Sequence, residues 1–294
     1  MTQILAILVL YKMRAEDSPA FQAITRFMRS EQAPHLRLLV SDNTPHEQPA
    51  PMGFSGDYLR NPDNPGLAKP YNHALHLAEE SGAGWLMLLD QDTTVTPEYL
   101  EEVLVRTTAL ETDATIGALV PRLMMGRRRL SPHPARFQKL FQTFESELPF
   151  PAGEPFEPYN SGAVFRVSAL RDIGGFPERF WLDYLDHATF YALREVQRSI
   201  LILDAELQHD LSGKNENSSQ GNAYSDRLEN ILDAGLSFYQ EHGSLKTRIL
   251  YRMDLMRQVL GTLKRGWFYP AFRILKVAVR LAPHRHARPA HPHR

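Results

Sequence analysis

Short, unbroken apolar runs recur along the chain as far as Leu203, with polar or amphipathic stretches between them. Ile4–Leu10, Leu36–Val40, Trp85–Leu89 and Ile116–Val120 each predict a strand buried on both faces. Ser161–Val167 and Ile200–Leu203 continue the series. Helices are predicted between the strands. Asp17-Ser18-Pro19 opens one that runs to Arg29, and Tyr71–Ala78 sets Ala74, Leu75 and Ala78 on one side of another. Pro97 starts a third, with Leu100, Val103 and Leu104 inward, and Trp181–Glu195 reads as a fourth. This alternation predicts an α/β fold with a mainly parallel central sheet, in which ligands bind beyond the carboxyl ends of the strands. Pro121–Tyr159 breaks the rhythm with many prolines, several aromatics and Arg127-Arg128-Arg129, and is expected to be a loop or insertion.

After Gly213 only helical spacing remains. Ile249, Met253, Met256, Leu260 and Leu263 form one apolar stripe, and Pro270–Leu281 forms a second with Arg273, Lys276 and Arg280 along a basic side. Three regions are expected: an α/β domain over 1–213, a basic helical region over 214–283, and a disordered Pro/His/Arg-rich tail over 284–294.

Charge sharpens this division. The chain has 33 basic and 34 acidic residues among 294, for a net charge of −1. From Ser244 to Arg294 there are 12 Lys and Arg and a single acid, Asp254, so this stretch carries +11 and the rest −12. Such a split points to an anionic surface as partner, or to docking of the helices on the protein's own acidic body. There is no Cys, which excludes disulfides, thiolate zinc sites and cysteine nucleophiles. No apolar stretch is long enough for a membrane span, and the apolar run after Met1-Thr2-Gln3 is expected to be a strand, not a signal peptide.

Candidate chemistry concentrates after the third strand. Leu86-Met87-Leu88-Leu89-Asp90-Gln91-Asp92 puts two carboxylates at the end of a buried run, and residues i and i+2 share a side in extended backbone. Two like charges there call for a counter-charge, and hard oxygen ligands suit Mg²⁺ or Mn²⁺ shared with a phosphorylated ligand. The alternative is an exposed turn whose Asp residues cap the next helix.

This run resembles the acidic metal-binding motif of family-2 glycosyltransferases with the GT-A fold. Leu8-Val9-Leu10-Tyr11 resembles that family's first strand, and Val40-Ser41-Asp42-Asn43-Thr44 its second. Asn61-Pro62-Asp63-Asn64-Pro65-Gly66-Leu67-Ala68, followed by Tyr71-Asn72-His73-Ala74-Leu75, is similar to its donor-side segment. Asn160-Ser161-Gly162-Ala163 and Gly174-Gly175-Phe176 resemble its acceptor-side strand and turn. Among its members, rhamnosyltransferase-like enzymes of bacterial polysaccharide assembly are the most similar in tone.

The resemblance implies a metal-dependent inverting transfer of a sugar, with rhamnose the suggested one, from a dTDP- or UDP-linked donor to a saccharide or lipid-linked saccharide acceptor. It implies Tyr11, Asp42, Asn64, Gly66, Asn72 and Asp90 for the nucleotide sugar, and Asp92 with Asp90 and His209 for a divalent cation, Mn²⁺ or Mg²⁺. It implies Asp186 as general base, with Asp183 as fallback or partner, and the two would share a face if both are helical. Lys214 and Asn215 are candidates to close over the diphosphate. The expected location is cytoplasmic, peripheral on the inner face of the plasma membrane through the C-terminal helices, with no nucleic acid as partner. Two rival readings remain. Asp90-Gln91-Asp92-Thr93-Thr94 also resembles the nucleophile motif of haloacid-dehalogenase-type phosphatases, and the chain could be a non-catalytic membrane-docking module.

Overall fold

The computed structural model describes residues 3–30, 35–134, 156–209 and 221–281. The chain divides into two compact units, Met1–Asn217 and Ser218–Arg294. Unit one begins with β1 (Ile4–Leu10), every residue of which is buried, and α1 (Pro19–Met28), whose N-cap Ser18 accepts from Phe21 N. It continues with β2 (Leu36–Asp42), β3 (Asp57–Arg60), α2 (Ala68–Glu80), β4 (Trp85–Asp90), β5 (Thr93–Thr94) and α3 (Pro97–Ala109). Then come β6 (Ile116–Met125), β7 (Arg128–Ser131), β8 (His133–Pro134), β9 (Phe156–Glu157), β10 (Val164–Arg166), α4 (Val167–Asp172), α5 (Leu185–Glu195) and β11 (Ser199–His209).

The main sheet runs β3-β2-β1-β4-β10-β6-β11-β5, with β7 added against β6, while β8 and β9 form a separate pair. β1, β2, β3 and β4 are mutually parallel where they pair, and so are β6 and β11. β10 lies antiparallel between β4 and β6. The apolar runs form strands because both sheet faces are covered: Ile24, Phe27 and Val103 of α1 and α3 cluster with Leu8, Val40, Met87 and Leu119 on one face, and Leu5, Ile7, Leu86 and Leu88 are buried on the other, where α2 packs. Arg166, on β10, is buried by using its guanidinium on the backbone. It donates to Leu110 O at 2.7 Å, Asp113 O at 2.9 Å and Ile116 O at 2.9 Å, and lies 4.3 Å from the Trp85 ring. It thereby closes the end of α3 onto the start of β6.

Two expectations change. The stretch after Val120 is not simply a loop: β6 continues through Pro121 to Met125 and turns at Gly126 into β7. Pro121 is tolerated because the β6–β11 register jumps there, from Ile202 opposite Val120 to Glu206 opposite Arg122. The helix expected from Trp181 begins only at Leu185, because Tyr184 takes a left-handed conformation (φ 64°).

Unit two holds α6 (Gly221–His242), α7 (Leu245–Lys264) and α8 (Phe268–Arg280). Their shared core is Leu232, Leu236 and Tyr239 of α6, Tyr251, Leu255 and Val259 of α7, and Ala271, Ile274 and Val277 of α8. No helix among the described residues is long and apolar enough to cross a membrane.

Candidate functional site

Parallel pairing brings three strand ends to one edge. Leu10 stands opposite Asp42, and Val9 opposite Asp90. Asp42 is 1% exposed, and its carboxylate accepts from Thr44 N at 2.9 Å and from the Tyr58 hydroxyl at 2.8 Å. Burial, followed by that bond to Asp42, raises the Tyr58 pKa well above its ordinary value, so the phenol stays a donor. Thr44 in turn accepts from Lys12 N at 2.9 Å, which ties the exit of β1 to the exit of β2.

The acidic run does not stay extended. β4 stops at Asp90, and Gln91-Asp92 form a turn. The cause is Gln91, whose side-chain amide accepts from Tyr11 N at 2.8 Å and donates to Tyr11 O at 3.2 Å, while its carbonyl accepts from Ser18 Oγ at 2.7 Å. Gln91 thus clips together the ends of β1 and β4, a role that carboxylate-centred motif reading passes over. The argument that Asp90 and Asp92 share a strand face therefore lapses. So does the helix-cap alternative, since the N-cap of α3 is Thr96, accepting from Tyr99 N. Asp90 accepts from the Ser161 hydroxyl. In register, His209 on β11 lies opposite Thr93, next to Asp92. The His209 side chain, and Lys214, Asn215 and the 284–294 tail, lie outside the described residues.

The Asn61–Gly66 loop is held by two neighbours. Asn43 Nδ2 donates to Gly66 O at 2.7 Å, Leu67 N donates to Trp181 O at 2.8 Å, and Trp181 Nε1 donates to Asn64 O at 3.2 Å. Asn64 and Gly66 both take positive φ (45° and 78°). A Cβ on Gly66 would come within 2.2 Å of Trp181 O, so only glycine fits. Asn72 is engaged with protein backbone: its Oδ1 accepts from Phe176 N at 2.7 Å and its Nδ2 donates to Phe176 O at 2.9 Å. It locks α2 to the turn at Gly174-Gly175.

Asp183 precedes the left-handed Tyr184 and so lies off the helix that carries Asp186, contrary to the shared-face expectation. Asp186 Oδ1 accepts from His187 N at 2.8 Å and pairs with His187 Nδ1 at 2.7 Å. His187 Nε2 lies 3.3 Å from Glu157 Oε2 on β9, and His133 Nδ1 of β8 lies 3.9 Å from the same oxygen. Burial alone pushes the His187 pKa down, but the Asp186 and Glu157 carboxylates outweigh it and hold it well above the ordinary histidine value. His187 thus bridges two carboxylates, both of which favour its charged form.

Tyr71 of α2 packs beside the Gly174-Gly175-Phe176 turn. It is fully buried, with its ring 5.2 Å from Phe176, and its hydroxyl has no hydrogen-bond partner among the described residues. Burial first, and then the charges of Asp90 and Asp186, raise its pKa, so the phenol stays protonated. Among the described residues no group of three His, Asp or Glu forms a ready cation cage. Asp90 and Asp92 flank Gln91 where β4 ends, so two carboxylate-bearing residues stand within three positions at the sheet edge.

Residues 46–174 match the family model described as Glycosyl transferase family 2. No curated protein matches the chain. Among solved structures, S. aureus TarS is similar at 14% identity and a TM-score of 0.51, covering 94% of this chain and 54% of that one. The chain thus spans about half of that protein's length. S. aureus TarS 1-349 in complex with UDP-GlcNAc is 12% identical with a TM-score of 0.51, covering 95% of this chain and 89% of the other. The mannosyltransferase PcManGT from Pyrobaculum calidifontis, in complex with GDP-Man and Mn2+, is 15% identical with a TM-score of 0.49, covering 95% and 86%. At these identities the two likenesses with a TM-score of 0.51 show the fold alone. Sheet order and the likeness to these solved structures show a GT-A-type α/β fold, within which residues 46–174 resemble glycosyl transferase family 2.

Proposed function

We propose that the chain is an inverting, metal-dependent glycosyltransferase. It moves a sugar, with rhamnose the first to test, from a nucleotide-diphosphate donor to a hydroxyl of a saccharide or lipid-linked saccharide in cell-surface polysaccharide synthesis. The observation that supports this reading best is that parallel pairing sets Asp42 and Asp90 at neighbouring strand ends, opposite Leu10 and Val9, at one edge of the sheet. These strand-end carboxylates suit the donor side, and Asp186, in the first turn of α5, suits proton removal.

In this reading the donor lies across the ends of β1, β2 and β4, with Tyr11 and Asp42 near the nucleobase and Asn64 and Gly66 along the sugar nucleotide. Asn72 acts indirectly by holding the Gly174-Gly175 turn. Asp90 and Asp92, with His209 as a further ligand, would hold Mn²⁺ or Mg²⁺, which when bound offsets the charge of the departing diphosphate. Asp186 Oδ1 is taken up by His187, which leaves Oδ2 to accept the acceptor's hydroxyl proton. The acceptor's hydroxyl oxygen attacks the anomeric carbon as the bond from that carbon to the diphosphate oxygen breaks, in one in-line displacement; the proton stays on Asp186 and the nucleotide diphosphate departs. Asp183 is the fallback base.

Calorimetric titration with UDP, dTDP, GDP and CMP, each with and without Mn²⁺, tests the reading. Metal-dependent binding of one nucleotide, lost in Asp92→Ala, is expected. Absence of binding to all four would overturn it.

A further inference from the structure

The apolar stripe of α7 that helical spacing singled out does not enter the core. Tyr251, Leu255 and Val259 do, from a different side of the helix. Ile249 is 51% exposed, Met253 60% and Leu260 60%, and Leu245, Met256 and Leu263 are exposed with them. At roughly 100° per residue these six lie on one outward strip. Lys246, Arg257 and Lys264 border that strip on one side and Arg252 on the other. α8 repeats the arrangement. Ala271, Ile274 and Val277 are buried, whereas Phe268, at 71% exposed, and Phe272, Leu275 and Val279 point outward beside Lys276 and Arg280. Trp267 in the connection between the helices and Tyr269 in the first turn of α8 are exposed aromatics. Of the large apolar side chains exposed among the described residues, most belong to these two helices. A helix that is apolar on two sides needs a second apolar phase, not only a core.

We propose that the outward strips of α7 and α8 dock in the plane of an anionic lipid bilayer. Charge complementarity selects this occupant. The basic residues lie along the borders of the strips, where phospholipid phosphates would meet them, and Trp267 and Tyr269 suit the interfacial depth. A symmetric contact with a second copy would set these cations against each other. A nucleic acid would use the cations but leave the aliphatic strip in water. Neither helix can span the bilayer, so the attachment is in-plane. The inference deepens the proposed function, since a lipid-linked acceptor lies in that plane, but the docking itself does not depend on catalysis.

The test is flotation of the full chain with phosphatidylcholine vesicles, with and without phosphatidylglycerol, at low and high salt and without donor or acceptor. Binding that needs the anionic lipid and weakens with salt is expected. The triple variant Met253→Asp/Leu260→Asp/Phe272→Asp changes solvent-facing positions only. It should bind at least ~10-fold more weakly with an unchanged circular dichroism spectrum. Lys246→Glu/Arg257→Glu/Lys264→Glu should lose the preference for anionic lipid by a similar ~10-fold factor. Failure of the full chain to float, or equal flotation of the variants, overturns the proposal. So does a concentration-dependent dimer that the first variant dissolves, since the strip would then be a self-interface. Turnover on a soluble acceptor, measured alongside, reports on the glycosyltransferase reading separately.

Discussion

His187 holds one oxygen of Asp186 twice, through its backbone N–H at 2.8 Å and its ring Nδ1 at 2.7 Å. Adjacent residues rarely make so complete a clamp. Here it is possible because both lie in the first turn of α5, where backbone N–H groups lack intrahelical partners. The far side of the imidazole reaches Glu157 on β9, so the orientation of Asp186 depends on a strand well before it in sequence.

If Oδ2 of Asp186 is the base, Asp186→Asn keeps the shape and removes the proton acceptor. Turnover should fall by about 10²–10⁴-fold with nucleotide binding nearly unchanged. Steady-state kinetics paired with calorimetry check this, and normal turnover would move the role to Asp183.

His187→Gln should cost about 1–3 kcal/mol near pH 6, because it removes the imidazole that bridges Asp186 and Glu157. The folded-state pKa of His187 is raised, so its stabilisation is fully present below the unfolded value and is lost as pH rises through the folded one. The gap in Tm between wild type and variant should therefore narrow as pH climbs above neutrality. A gap that widens with pH would contradict the ion-pair account.

Tyr71→Phe separates stability from function. A buried hydroxyl without a partner stabilises nothing, so thermal stability should be unchanged or slightly higher. If the hydroxyl serves bound substrate, kcat/KM should drop by about 10-fold. Unaltered kinetics would reduce Tyr71 to packing against Phe176.

Gly66→Ala forces a left-handed backbone on a residue with a Cβ and drives that Cβ into Trp181. A loss of about 1–3 kcal/mol is expected, with a raised KM for the donor because Asn64 shares the loop. Denaturant unfolding and donor titration check both parts.

Much of this was legible in the sequence. Unbroken apolar runs became β1, β2 and β4 because strands covered on both faces carry no polar alternation, and parallel pairing then put Asp42 and Asp90 at one edge whatever the loops did. Ser18 and Pro19 marked the start of α1 because capping is local chemistry. Other features are set only by the tertiary structure. Gln91 reads as a spacer between two acids, and only the approach of Tyr11 makes it a clip. His187 and Glu157 meet across the fold, a contact that no spacing encodes. Helical periodicity placed Ile249, Met253, Met256, Leu260 and Leu263 on one side of α7, but it carries no information about which side faces inward. That was decided by where Tyr239, Tyr251 and Ile274 pack, because a helix buries the strip that its neighbours fill and leaves the other to the solvent or to a lipid surface.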